Sequence, residues 1–120
     1  MTISQGMTYA LAAALAALSA RAAFAPRGAA VAYGVPIPDG TDPTPFLEVK
    51  ANRDLTLAGL LIVTASADHA ILAAALFVGI IAPAADAWIV SRHGKISGTA
   101  IHVSTVAFMI VAGALAAAGH

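Results

Sequence analysis

Four long apolar stretches dominate the pattern along the chain, over about residues 4–25, 45–67, 69–92 and 97–118. Only one connection between them is long, the Pro-rich segment 26–44. Each stretch has the length of a membrane-spanning helix, which needs roughly 20 apolar residues. The expected fold is therefore all-α: a four-helix transmembrane bundle of up-down topology, with both termini on the same side, as one integral-membrane domain over residues 1–120. Five of the six prolines fall between Pro26 and Pro45, which forbids a continuous helix there and predicts a loop. Asp39-Gly40 marks a turn within it. A connection this long is suited to act as a lid or binding loop.

Local signals place the helix ends. Thr44 and Pro45 read as N-cap and first helical position. Asp68 is placed to cap the third segment, and Gly94 to end it. In the second segment the purely apolar part, Leu55 to Ala67, reaches only ~20 Å at 1.5 Å per residue, short of a hydrocarbon core of roughly 30 Å. That helix must include Phe46, Leu47 and Val49, which draws Arg53 and Asp54 to the edge of the hydrocarbon. The first segment ends in Ala-Ala-Phe-Ala25, which resembles a signal-peptide cleavage site. No Lys or Arg precedes its apolar run, however, and Arg21 follows it, so a retained span is the better reading.

Composition supports the bilayer as solvent. Of 120 residues 60% are hydrophobic and 10% charged, against about 25% charged in soluble domains. The formal net charge is zero, which suggests no nucleic-acid partner. There is no cysteine, which excludes disulfides and thiolate chemistry. All six cations (Arg21, Arg27, Lys50, Arg53, Arg92 and Lys95) fall on the side of segments 26–44 and 92–97. The positive-inside rule then places those loops in the cytoplasm and both termini outside it, in a multi-pass protein of the cell (inner) membrane.

Each predicted helix carries a stripe of small or polar residues at i, i+3/i+4 spacing. Ala10, Ala14, Ala17 and Arg21 form the first, expected to face other helices and suited to support a homodimer. Lys50, Arg53, Asp54, Leu57, Leu61 and Thr64 form the second. Ala75, Gly79, Ala82 and Asp86 form the third, with Trp88 opposite Asp86 and near the interface. Gly98, His102, Thr105, Met109 and Gly113 form the fourth. Arg21, Arg53, Asp54, Asp86 and His102 thereby converge at one depth. Ionisable groups within a membrane cost ~2.5–3.5 kcal/mol at a helix centre and carry partners or purposes. The expected pairings are Arg53 with Asp86 and Arg21 with Asp54. His102 is the group with an ordinary pKa near neutrality. Asp86 and His102 are the candidate catalytic pair for proton transfer, and Arg53, Asp54, Lys50 and Arg21 the candidate ligand-binding set. His69, His93, His102 and His120 have no metal-binding spacing, and no cofactor motif is present.

Three elements of this pattern carry a family likeness. They are Tyr33-Gly-Val-Pro-Ile-Pro38; Lys50-x-x-Arg53-Asp54-Leu55 with Gly59-Leu60-Leu61; and Asp86-Ala87 with His93-Gly94, followed by Ile101-His102. Over about residues 8–115 the chain resembles the small bacterial and fungal membrane proteins known as domain of unknown function 4267. One departure is Ala85, where that family would have Gly. The resemblance implies a four-helix membrane fold, no established activity, and Arg53, Asp54, Asp86 and His102 as a characteristic polar set.

Three functions compete on these grounds. The first is a site that binds or isomerises a small amphipathic ligand reached from the bilayer. The second is a structural or accessory subunit in which the polar cluster joins helices. The third is a small proton-coupled transporter, against which stands the lack of any carboxylate in the first segment.

Overall fold

The computed structural model describes residues 1–120 as helices and short connections, with no strand. The helical segments are α1 (Ile3–Phe24), α2 (Pro26–Tyr33), α3 (Thr44–Ala65), α4 (His69–Gly79), α5 (Ile81–His93) and α6 (Ile96–Ala117). The particle is elongated, 50 × 25 × 16 Å. Three stretches are long and apolar enough to cross a membrane: Ile3–Phe24, His69–His93 and Ile96–Ala117. At 22 residues α3 matches them in length, but it carries Glu48, Lys50, Arg53 and Asp54. Large apolar side chains point outward on every long helix, among them Val63, Val78, Ile81 and Ile101, each 59–69% exposed. A water-facing monomer rarely carries apolar surface on that scale; against lipid it costs nothing.

Small residues set the packing. On α1 the buried face is Ser4, Thr8, Leu11, Ala12, Ser19 and Ala22. It lies along Ala51, Ala58, Leu61 and Ala65 of α3. Such residues let backbones approach where lipid gives helices no hydrophobic reason to associate, and the Ser19 hydroxyl donates to the Ala51 carbonyl at 2.8 Å. The expected stripe Ala10, Ala14, Ala17 and Arg21 is instead exposed. The hydroxyl-bearing face wins because Ser4 and Ser19 find main-chain acceptors at His120 and on α3, while Thr8 satisfies its hydroxyl on the Ser4 carbonyl of its own helix. The α4–α6 contact buries Leu72, Ala73 and Leu76 against Met109, Ala112 and Ala116. At one end both termini and the α3–α4 turn meet: Ser4 N–H donates to the His120 carbonyl, and the Gln5 side-chain amide donates to the Ala65 carbonyl.

Two features depart from the sequence reading. First, the expected loop 26–44 begins with helix α2. Pro26 sits at its first position, where a missing N–H costs nothing, and Gly34 closes it in the left-handed region at φ 94°. Only residues 34–43 are irregular, with the expected turn at Asp39-Gly40 (φ 80° at Gly40). Second, the third apolar stretch is interrupted at Ile80. Pro83 has no N–H to offer the Gly79 carbonyl, so the ladder lapses one turn before it. The capping expectations hold at Asp68, whose carboxylate accepts from Ala70 N–H at 2.7 Å. Thr44 is helical itself, and its N–H donates to the exposed Asp42 carboxylate, which that bond holds below the usual carboxylate range.

Gly94 ends α5 as expected, for a different reason. Its φ is −126°, which any residue adopts. The requirement is space: a Cβ there would collide with the Gly34 carbonyl, and one on Gly98 would lie 2.9 Å from Val90 Cγ1 and 3.0 Å from Gly34 Cα. Lys95 N–H donates to the Gly34 carbonyl at 3.1 Å across this contact. Gly94→Ala should therefore cost about 1–3 kcal/mol by overpacking, read as a lower melting temperature in detergent. Gly59→Ala meets nothing within 4 Å and should be neutral or stabilising by up to ~1 kcal/mol. Equal effects of the two would show that the contact of Gly34 with the α5–α6 turn is not tight.

Candidate ligand site

Where α5 meets the end of α2, Asp86 is 4% exposed and three elements supply its partners. Arg53 of α3 forks it: Nη1 donates to Oδ1 at 2.9 Å and Nη2 to Oδ2 at 2.7 Å. Tyr33 at the end of α2 donates its hydroxyl to Oδ1 at 3.1 Å. His102 of α6 brings Nδ1 to 3.9 Å of Oδ2. Fork geometry of this kind is the strong form of a charge-assisted bond, and desolvation by the surrounding helices strengthens it further. Asp54, 2% exposed, is paired with Lys50 one turn earlier and accepts from Arg53 Nε at 3.3 Å and Nη2 at 3.2 Å. The expected Arg53–Asp86 pair is thus present.

The expected Arg21–Asp54 pair is not. Arg21 points outward and donates instead to the Gly28 carbonyl at 3.4 Å. Its neighbours Ser19 and Ala22 occupy the face toward α3, so a 100° step carries Arg21 away from Asp54. Lys50 belongs to the cluster through Asp54 and also through its ammonium, 5.4 Å from the Tyr33 ring centroid. His93 is exposed at the end of α5. Trp88 lies outward, with the Arg92 guanidinium 5.2 Å from its ring.

Tyr33 is the cluster member that the sequence reading missed. Its ring meets His102 edge-on at 5.2 Å and Phe46 at 6.0 Å, and it is 7% exposed. It closes the cluster on the side of α2. Burial first, and then the adjoining Asp86 carboxylate, push its phenol well above the ordinary range. Pro26 and Gly34 were the available signals, since a helix between them puts Tyr33 at its last position.

Between α3 and α5 the cluster opens into a cleft of about 630 Å³. Its inner end is Lys50, Arg53, Asp54, Asp86 and His102; its shaft is Leu11, Leu57, Leu61, Ala75, Gly79 and Ala82. The cleft exists because α3 packs along α1 and α4 while α5 packs on α6, leaving α3 and α5 joined mainly by the Arg53–Asp86 fork. The stripes read from α3 and from α4–α5 line this space, as do His102, Thr105 and Met109 of the stripe on α6. A separate cavity of about 550 Å³ lies under the 34–43 loop, beside Arg27 and Lys95.

The model of the family described as Domain of unknown function (DUF4267) matches residues 12–116. The chain belongs to this family. No curated protein and no solved structure matches it. The matched span of this DUF4267 chain holds every member of the cluster, from Tyr33 to His102, and every shaft residue except Leu11, which lies one residue before it.

The Tyr33 environment has a consequence at alkaline pH. A phenol whose pKa is raised on folding holds its proton more tightly in the native state, so its stabilisation is complete below pH ~10 and is lost as pH rises above that value. With Tyr9→Phe, Tyr33 is the only tyrosine. Thermal stability of that variant should decline as pH rises above ~10, while phenolate absorbance of the folded protein should appear only at clearly higher pH. Ionisation of the folded protein at pH 10 would show that Tyr33 is solvated.

Proposed function

We propose that this DUF4267 chain is a multi-pass protein of the cell membrane that binds a small amphipathic ligand in the α3–α5 cleft. In this reading α3 is a fourth span and α4–α5 together form one. The bundle runs up and down, with the cationic end, including the loop 26–44 and the turn 92–97, in the cytoplasm. The Arg, Asp and His cluster then lies near the cytoplasmic face. The polar end of the ligand meets Arg53, Asp86 and His102, and its apolar body lies along the leucine shaft. One observation carries the reading: a roomy, largely apolar cleft that ends on buried, titratable groups. Its volume falls within the ~300–1,000 Å³ range of small-molecule sites.

Binding draws more support than isomerisation. Both oxygens of Asp86 are engaged by Arg53, so Asp86 does not stand free to take a proton. His102 is the member best placed to exchange a proton with a bound ligand. A purely structural cluster accounts for the fork but leaves the cleft and the position of His102 without a purpose.

Ala82 lines the cleft, while Ala84 is exposed on the outer face of the same helix. Ala82→Phe should fill the shaft and lower retention of co-purifying lipid, measured by native mass spectrometry, at least about tenfold, equivalent to ~1.4 kcal/mol. Ala84→Phe should leave it unchanged. Equal retention in the two variants, both folded, would contradict a ligand in this cleft.

A further inference from the structure

The hydrogen-bonding and charge balance of the cluster narrow the ligand class, an inference that rests on the binding reading above. Lys50 and Arg53 supply two positive charges, and Asp54 and Asp86 two negative ones, and each is already paired inside the cluster. An ionic headgroup of either sign would have to displace one of these partners and strand the other charge in a mostly apolar cleft. The remaining capacity is that of neutral hydrogen bonding. A guanidinium has five N–H groups. Four bonds engage Arg53: one from Nε, one from Nη1 and two from Nη2. One Nη1 N–H is left over, on a side chain that remains 39% exposed at the cleft. His102 also lines the cleft, and its ring lies beyond hydrogen-bond distance of Asp86, at 3.9 Å, with the Tyr33 main-chain carbonyl also beside it. A hydroxyl complements this pair: its oxygen accepts from Arg53 and its proton is donated to an imidazole nitrogen.

The approach is from the bilayer. Leu60, Val78 and Ile81 line the cleft and are 57%, 66% and 69% exposed, so its rim lies on the lipid-facing surface. On the opposite side Tyr33 and the Gly34–Gly98 contact close the cluster. We infer that the ligand is an uncharged lipid alcohol that slides in between α3 and α5 with its hydroxyl at Arg53 and His102.

The test uses the full chain purified into phosphatidylcholine vesicles. Three photoreactive probes share one alkyl chain, with a mid-chain diazirine and a terminal alkyne. They differ only in the head: a primary alcohol, a sulfate or a trimethylammonium. The alcohol should label cleft-lining peptides of α3 and α5 saturably, at least about tenfold above either ion, and Ala82→Phe should abolish that labelling. His102→Phe should erase the preference among heads. Saturable cleft labelling by the sulfate or the ammonium at the level of the alcohol would overturn the ligand class while leaving the binding reading intact. No saturable cleft labelling by any probe, or labelling indifferent to Ala82→Phe, would overturn both.

Discussion

Everything at the polar end of this molecule depends on the carboxylate of Asp86, held at 4% exposure in the stretch His69–His93, which is apolar enough to cross a membrane. An ionised carboxylate in such a place persists only with a cation and full hydrogen bonding. Arg53 supplies both through its fork, and in doing so fixes the depth at which α3 lies against α5. That depth carries Asp54 inward too, one residue along, where it takes Lys50 from the preceding turn. Of the four charges of α3 that keep it from reading as a simple span, Lys50, Arg53 and Asp54 are therefore consumed inside the bundle, and Glu48 stays exposed.

The same fork leaves a gap. Close packing joins α1 to α3 through Ala51, Ala58 and Ala65, and α4 to α6 through Ala73, Ala112 and Ala116. Arg53 reaches across from one pair to the other, and a long side chain spans what small residues would have closed. The cleft is the space beside it. Tyr33 and the glycines at 34, 94 and 98 shut the opposite side by direct backbone approach, so stability and access are divided between the two faces of the cluster.

Much of this was legible in the sequence. A guanidinium and a carboxylate on apolar segments at matching depth have few other partners, which is why Arg53–Asp86 could be read directly. The stripe from Lys50 to Thr64, the stripe ending at Asp86, and His102, Thr105 and Met109 of the fourth line the cleft, and the family likeness is matched over residues 12–116. What failed was rotation and local helix formation. The alanine spacing on α1 is nearly featureless, and the buried side was decided by the hydroxyls of Ser4 and Ser19, whose main-chain acceptors, His120 and Ala51, lie far along the chain and are not visible in sequence. Arg21 was misassigned with that face. Tyr33 was overlooked because the number of prolines in 26–45 outweighed their positions; Pro26 at a helix start is permissive, and the next proline comes only after Gly34. The lapse at Ile80 follows from Pro83 but depends on the i−4 carbonyl it cannot satisfy.

A double-mutant cycle on Arg53 and Asp86 tests the central claim most directly. Unfolding free energies would be measured in detergent for Arg53→Met, Asp86→Leu and the double variant. If the fork organises the bundle, each single change strands a buried charge, and the double change recovers part of the loss, with a coupling energy of about 1–3 kcal/mol. Additive effects of the two substitutions would mean that the charges do not depend on one another, and that something else holds α3 at its depth.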